Sequence, residues 1–96
     1  MEFLRTDLND GAEETLTIVL CAQPYYSEWL ETESPYLVQV TQGAHFAGLF
    51  GLDGDAIPAL PREWVLPAET TIPPNVVAAV EDGWASGNYT VERIET

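Results

Sequence analysis

The residues with the greatest chemical reach are one cysteine, Cys21, and one histidine, His45. Nucleophilic catalysis needs a thiolate or an activated hydroxyl beside a base. Cys21 ends the apolar run Thr15–Cys21 (TLTIVLC), where a thiol serves as inert packing. His45 falls at the start of a predicted strand, which gives it a turn or surface role. One Cys and one His do not close a zinc site without several carboxylates joining them.

Three other patterns are equally uninformative about chemistry. Asp53-Gly54-Asp55 has the look of a calcium loop, but Ala56-Ile57-Pro58 follows where further oxygen ligands would be needed, so a turn is expected. The chain holds 16 Asp and Glu among 96 residues, so a pair of carboxylates at glycosidase spacing arises by number alone. Gly43, Gly48, Gly51 and Gly54 are not followed by the Lys-Ser/Thr of a phosphate loop. The expectation is a protein that is not an enzyme and holds no metal or cofactor.

What remains is a surface. Glu28, Glu31 and Glu33 lie beside Tyr25, Tyr26 and Trp29, and Glu63, Glu69, Glu81 and Asp82 form a second set. Tyr and Trp supply binding hot spots, and carboxylates pair with a partner's Arg and Lys and raise the association rate. Both acidic sets, with Tyr25 and Tyr26, are therefore the candidate partner-binding residues.

The charge balance points the same way. Arg5, Arg62 and Arg93 are the only basic residues apart from His45, lysine is absent, and the formal net charge is −13. Such a field repels nucleic acid and anionic lipid and speeds encounter with basic surfaces. The partner expected is a protein with a basic surface, not nucleic acid or a membrane. The longest apolar stretches fall far short of the roughly 18 residues of a membrane span. The N-terminus lacks a signal-peptide pattern, and a single cysteine forms no internal disulfide, so the expected location is the cytoplasm.

The elements that must position these residues are legible to different degrees. The length suits one domain over residues 1–96. Strands are predicted at Glu2–Thr6, Thr15–Cys21, Tyr36–Gln42 and His45–Gly51, with Gly43 supplying the positive φ of a tight hairpin. Pro24 at a first helical position and Ser34-Pro35 as a stop predict a short acidic helix over Tyr25–Glu33, with Tyr26, Trp29 and Leu30 facing inward. Proline-bounded Arg62–Leu66 suggests a short edge strand. Val76, Val77, Val80 and Trp84 fall on one face of a helix over Asn75–Ser86, Gly87 follows it, and Tyr89–Glu95 reads as the last strand. The fold class expected is α+β: an antiparallel sheet of four or five strands with one main C-terminal helix on one face, plus the short acidic helix.

In size and charge the chain resembles the nucleic-acid-mimicking inhibitors encoded by phages, anti-CRISPR proteins among them, and the acidic antidotes of nuclease toxins. Locally, Ile72-Pro73-Pro74 through Val80 and Gly87-Asn88-Tyr89-Thr90-Val91-Glu92 look like the C-terminal end of some polymorphic-toxin immunity proteins. Tyr89 and Ile94 stand near where that pattern has a Pro after the Gly and a Trp in the last strand. These resemblances imply an inhibitory protein that presents carboxylates in place of phosphates to a nuclease, a CRISPR effector or a toxin. The alternatives are a toxin-neutralising immunity protein and an acidic domain of a halophile, in which a lysine-free surface serves solubility.

Overall fold

The computed structural model describes residues 1–58, 60–68 and 71–94, with Arg62 described by its backbone alone. The order of elements is β1 (Glu2–Asp7), β2 (Glu13–Ser27), β3 (Thr32–Gln42), β4 (His45–Phe50), a 3₁₀ turn (Arg62–Trp64), β5 (Val65–Pro67), α1 (Pro74–Trp84) and β6 (Tyr89–Ile94). All strand pairs are antiparallel, in the order β4-β3-β2-β1-β6. β5 pairs with β2 at Val19–Cys21, beyond the stretch that pairs with β1. The fold is α+β, a six-stranded antiparallel sheet with one helix among the described residues.

Alternation along the strands sorts side chains onto two faces. Phe3, Leu16, Ile18, Val38 and Val40 point to the face covered by α1 and pack with its Val76, Val77, Val80 and Trp84. Val19, Cys21 and Leu37 point to the other face, with Leu49, and are covered by Ile57, Leu60 and Val65. The helical stripe expected from the sequence is thus the buried one, and Cys21 is buried as expected. Pro74 occupies the first turn of α1, where a missing N–H costs nothing. At Gly83 a Cβ would meet the Leu52 carbonyl at 3.4 Å, an ordinary van der Waals contact.

The β3–β4 hairpin turns at Gly43 with φ of +62°, and Gln42 pairs with His45. Arg62–Leu66 was expected to be one strand. It divides instead: Trp64 N–H donates to the Pro61 carbonyl at 3.0 Å and winds Arg62–Trp64 into a 3₁₀ turn before β5, which is an edge strand.

The principal correction concerns Tyr25–Glu33, which does not form a helix. β2 continues to Ser27, residues 28–31 turn, and β3 begins at Thr32. Pairing jumps from Leu20↔Tyr36 to Tyr25↔Ser34, then continues with Tyr26↔Glu33 and Ser27↔Thr32. The interrupted stretch contains both Pro24 and Pro35. Each lacks an N–H, and each sits where the ladder demands none. The prolines that suggested a helix start and stop instead fit the irregular middle of a long hairpin. Its end carries Tyr25 and Tyr26 in conformations that aromatic residues favour in strands.

Candidate functional site

The hairpin end is fastened by a residue remote in sequence. Ser27 Oγ donates to Asp53 Oδ1 at 2.8 Å, and the backbone N–H groups of Glu28 and Trp29 donate to Oδ2 and Oδ1, both at 2.7 Å. Leu30 N–H in turn donates to Ser27 Oγ at 3.2 Å. Burial pushes the Asp53 carboxyl upward in pKa. The bonds from Trp29, Ser27 and Glu28 more than offset that push and hold it below the ordinary aspartate value. Asp53 is itself held by a tight turn in which Gly51 N–H donates to the Asp55 carbonyl at 2.9 Å, Gly54 N–H donates to the Gly51 carbonyl at 3.0 Å, and Gly54 has φ of +89°.

This anchoring sets the surface of the hairpin end. Ser27 is buried and Leu30 packs against the main core, whereas Glu28, Trp29, Glu31 and Glu33 are exposed. Tyr26 is 64% exposed and Trp29 52%, so neither belongs to the inward stripe expected of a helix; Tyr25 is 36% exposed. Glu31 occupies the left-handed region at φ of +55°, a position where glycine is favoured. The two arginines whose side chains are described are engaged elsewhere: Arg5 pairs with Glu14 at 3.1 Å and Arg93 with Glu81 at 3.0 Å. Among the described residues Glu28, Glu31 and Glu33 make no ion pair.

Tyr25, Tyr26, Glu28, Glu31 and Glu33 are therefore brought together at one end of the molecule, by a hairpin and not by a helix. Of the described members of the second acidic set, Glu63 is not brought together with Glu81 and Asp82. Glu63 is exposed on the 3₁₀ turn that leads into β5, on the sheet face opposite α1. Glu81 and Asp82 lie on α1, where Glu81 is partly neutralised by Arg93 and Asp82 is exposed. Glu69 lies outside the described residues.

Sequence reasoning passed over the wall facing the tyrosines. Tyr25, Tyr26 and Glu28 border a groove of about 430 Å³ whose other side is Gly51–Pro58, including Asp53, Asp55 and Ile57. Asp53-Gly54-Asp55 was legible as a turn, but nothing local indicates that it closes against a segment more than twenty residues earlier. Among the described residues no group of three or more His, Cys, Asp or Glu could hold a metal ion, and no helix is long and apolar enough to cross a membrane.

The fold and this surface define the class no further than a small antiparallel α+β protein with an acidic, aromatic hairpin end. No protein-family model matches the chain, and no curated protein or solved structure matches it either.

Proposed function

We propose that the protein is a non-enzymatic, cytoplasmic inhibitory protein that binds a basic partner of the nucleic-acid-handling class, with carboxylates in place of phosphates. The observation that carries this reading is the hairpin end. Glu28, Glu31 and Glu33 stand exposed beside Tyr25, Tyr26 and Trp29 on a tip fastened by Asp53, within a chain of net charge −13. Carboxylates on this anchored tip steer a basic groove toward it, and the exposed aromatics supply contact area. Glu63, Glu69, Glu81 and Asp82 add to the long-range field. No cofactor or metal takes part.

The test begins with capture of the partner from the native host and its identification. A nuclease, a CRISPR effector or a toxin is expected, a toxin marking the immunity-protein variant of the same mechanism. The combined change Glu28→Gln, Glu31→Gln and Glu33→Gln should then slow association while leaving the melting temperature unchanged, because exposed acids contribute little to stability. The loss should shrink as salt rises, since steering is screened beyond about 8 Å at physiological ionic strength. Nucleic acid should compete for the partner. Unchanged affinity in the triple variant, or simultaneous binding of nucleic acid, overturns the proposal.

The absence of lysine favours a second reading, an acidic surface adapted to high salt. Unfolding in dilute buffer with recovery in molar salt supports it, whereas full stability in dilute buffer supports the inhibitor.

A further inference from the structure

We propose that the groove between the hairpin end and the Gly51–Pro58 turn receives an arginine side chain carried on an extended, basic segment of a partner protein. This deepens the proposed function and rests on its premise of a basic partner, but it locates a contact to which only Glu28 of the three tip glutamates contributes.

The groove combines three features that a guanidinium uses together. Tyr25 and Tyr26 both border the groove as exposed residues, and a planar cation stacks on the face of such a ring. Glu28 on the same wall and Asp55 on the opposite wall are exposed carboxylates without an ion-pair partner among the described residues, so the cation meets negative charge from both sides. Ala56, Ile57 and Pro58 provide an apolar strip for the methylene stem. The Asp53 carboxylate, also in the lining, accepts three hydrogen bonds from the hairpin. It therefore adds negative potential while fixing the two walls relative to one another.

Size and stiffness agree with that occupant. About 430 Å³ has room for an arginine side chain together with the backbone next to it. The far wall is tied into the sheet, since Ile57 N–H donates to the Leu49 carbonyl at 3.0 Å and Phe50 bridges to Ala56. A groove preset by both walls orders little on binding, which favours a short segment that brings few contacts of its own. Arginine is preferred over lysine because a compact ammonium, though attracted to a ring face, does not lie flat on it or span two carboxylates in a planar fork.

The experiment uses the full chain, isotopically labelled, titrated by NMR with the acetylated and amidated pentapeptide Gly-Gly-Arg-Gly-Gly and with its lysine and citrulline counterparts. Amide shifts should concentrate at Gly51, Asp55, Ala56, Ile57, Tyr25 and Tyr26. Arginine should bind about 3-fold or more tighter than lysine, and citrulline weakest. Tyr26→Ala and Asp55→Asn each alter an exposed side chain, and each should weaken the arginine peptide by about 2- to 5-fold with an otherwise unchanged spectrum. Equal affinity for arginine and lysine, shifts spread over the acidic surface, or variants without effect overturn the proposal. The two proposals fail separately. A captured partner lost by Glu31→Gln with Glu33→Gln, which leaves the groove lining untouched, but retained by both Tyr26→Ala and Asp55→Asn removes the arginine groove and leaves the inhibitor reading. Localised arginine binding with a partner indifferent to Glu31→Gln with Glu33→Gln does the reverse.

Discussion

Arg5 Nε donates to the Trp84 carbonyl at 2.9 Å, joining the first strand to the last residue of the helix 79 positions later. α1 has no basic residue in its last turn, so the cation that complements its C-terminal carbonyls comes from the sheet. The same guanidinium lies 3.6 Å from the Tyr89 ring centroid and 5.2 Å from that of Trp84, and pairs with Glu14. Arg5→Ala should therefore destabilise by about 2–3 kcal/mol, through the charged hydrogen bond and the lost stacking. Arg5→Lys should recover less than half of that, because a point charge does not serve the carbonyl, the carboxylate and the ring together. Urea denaturation measures both.

Trp84 is 6% exposed and meets Phe50 edge-on, with centroids 5.5 Å apart. Its Nε1–H is buried without an acceptor among the described residues. Trp84→Ala should cost about 3–5 kcal/mol, enough to unfold much of a marginal domain at 37 °C. Trp84→Phe keeps an aromatic ring and removes the orphan donor, so its cost should stay below about 1.5 kcal/mol. Thermal melts of the two variants separate ring packing from the polar atom.

Asp53 ties stability to acid. Its pKa is lowered in the folded state, so its contribution is fully present above the unfolded aspartate pKa and is lost as pH falls through the folded value. Asp53→Asn should cost about 2 kcal/mol at pH 7, since a neutral amide replaces the charged acceptor of three hydrogen bonds. The gap between the two proteins should narrow as pH drops below about 4. Denaturation curves from pH 7 downward give this difference directly, free of the general relief of repulsion shared by both chains. A gap constant with pH counts against the anchoring role.

Glu31 stands where glycine fits better. A left-handed conformation costs an L-residue about 1–2 kcal/mol, partly offset by the greater freedom of glycine in the unfolded chain. Glu31→Gly should thus stabilise by about 0.5–1 kcal/mol and, with one tip carboxylate gone, slow association with the partner. Paired melting and stopped-flow measurements test the opposed signs. A stabilised variant that associates at the parental rate removes Glu31 from the interface.

The parts of this protein that the sequence determined by itself are those governed by neighbours along the chain. Val76, Val77, Val80 and Trp84 fall on one helical face whatever lies opposite, and all are buried. Thr15–Cys21 and Tyr36–Gln42 carry enough β-branched and apolar residues to be strands in almost any context, and Gly43 supplies their neighbour's tight turn at the cost of no strain. The excess of carboxylates, and hence the sign of the field, is a matter of composition alone. The segment Pro24–Glu33 was different. Proline is compatible with a helix's first turn and with a break in a ladder, and glutamate at the spacing found here suits an exposed helix face or a hairpin tip.

Tertiary contacts chose between them, the remote ones from Asp53 and the core together with the hairpin's own cross-strand pairing. Asp53 supplies an acceptor for the tip N–H groups of Glu28 and Trp29, Ser34 and Glu33 supply cross-strand partners for Tyr25 and Tyr26, and Leu30 finds the core from the turn. The groove has the same origin, since its walls meet only after Gly51–Pro58 folds back against the hairpin. Local propensity differs between helix and strand by at most about 1 kcal/mol per residue, so a few tertiary hydrogen bonds and one buried side chain outweigh it.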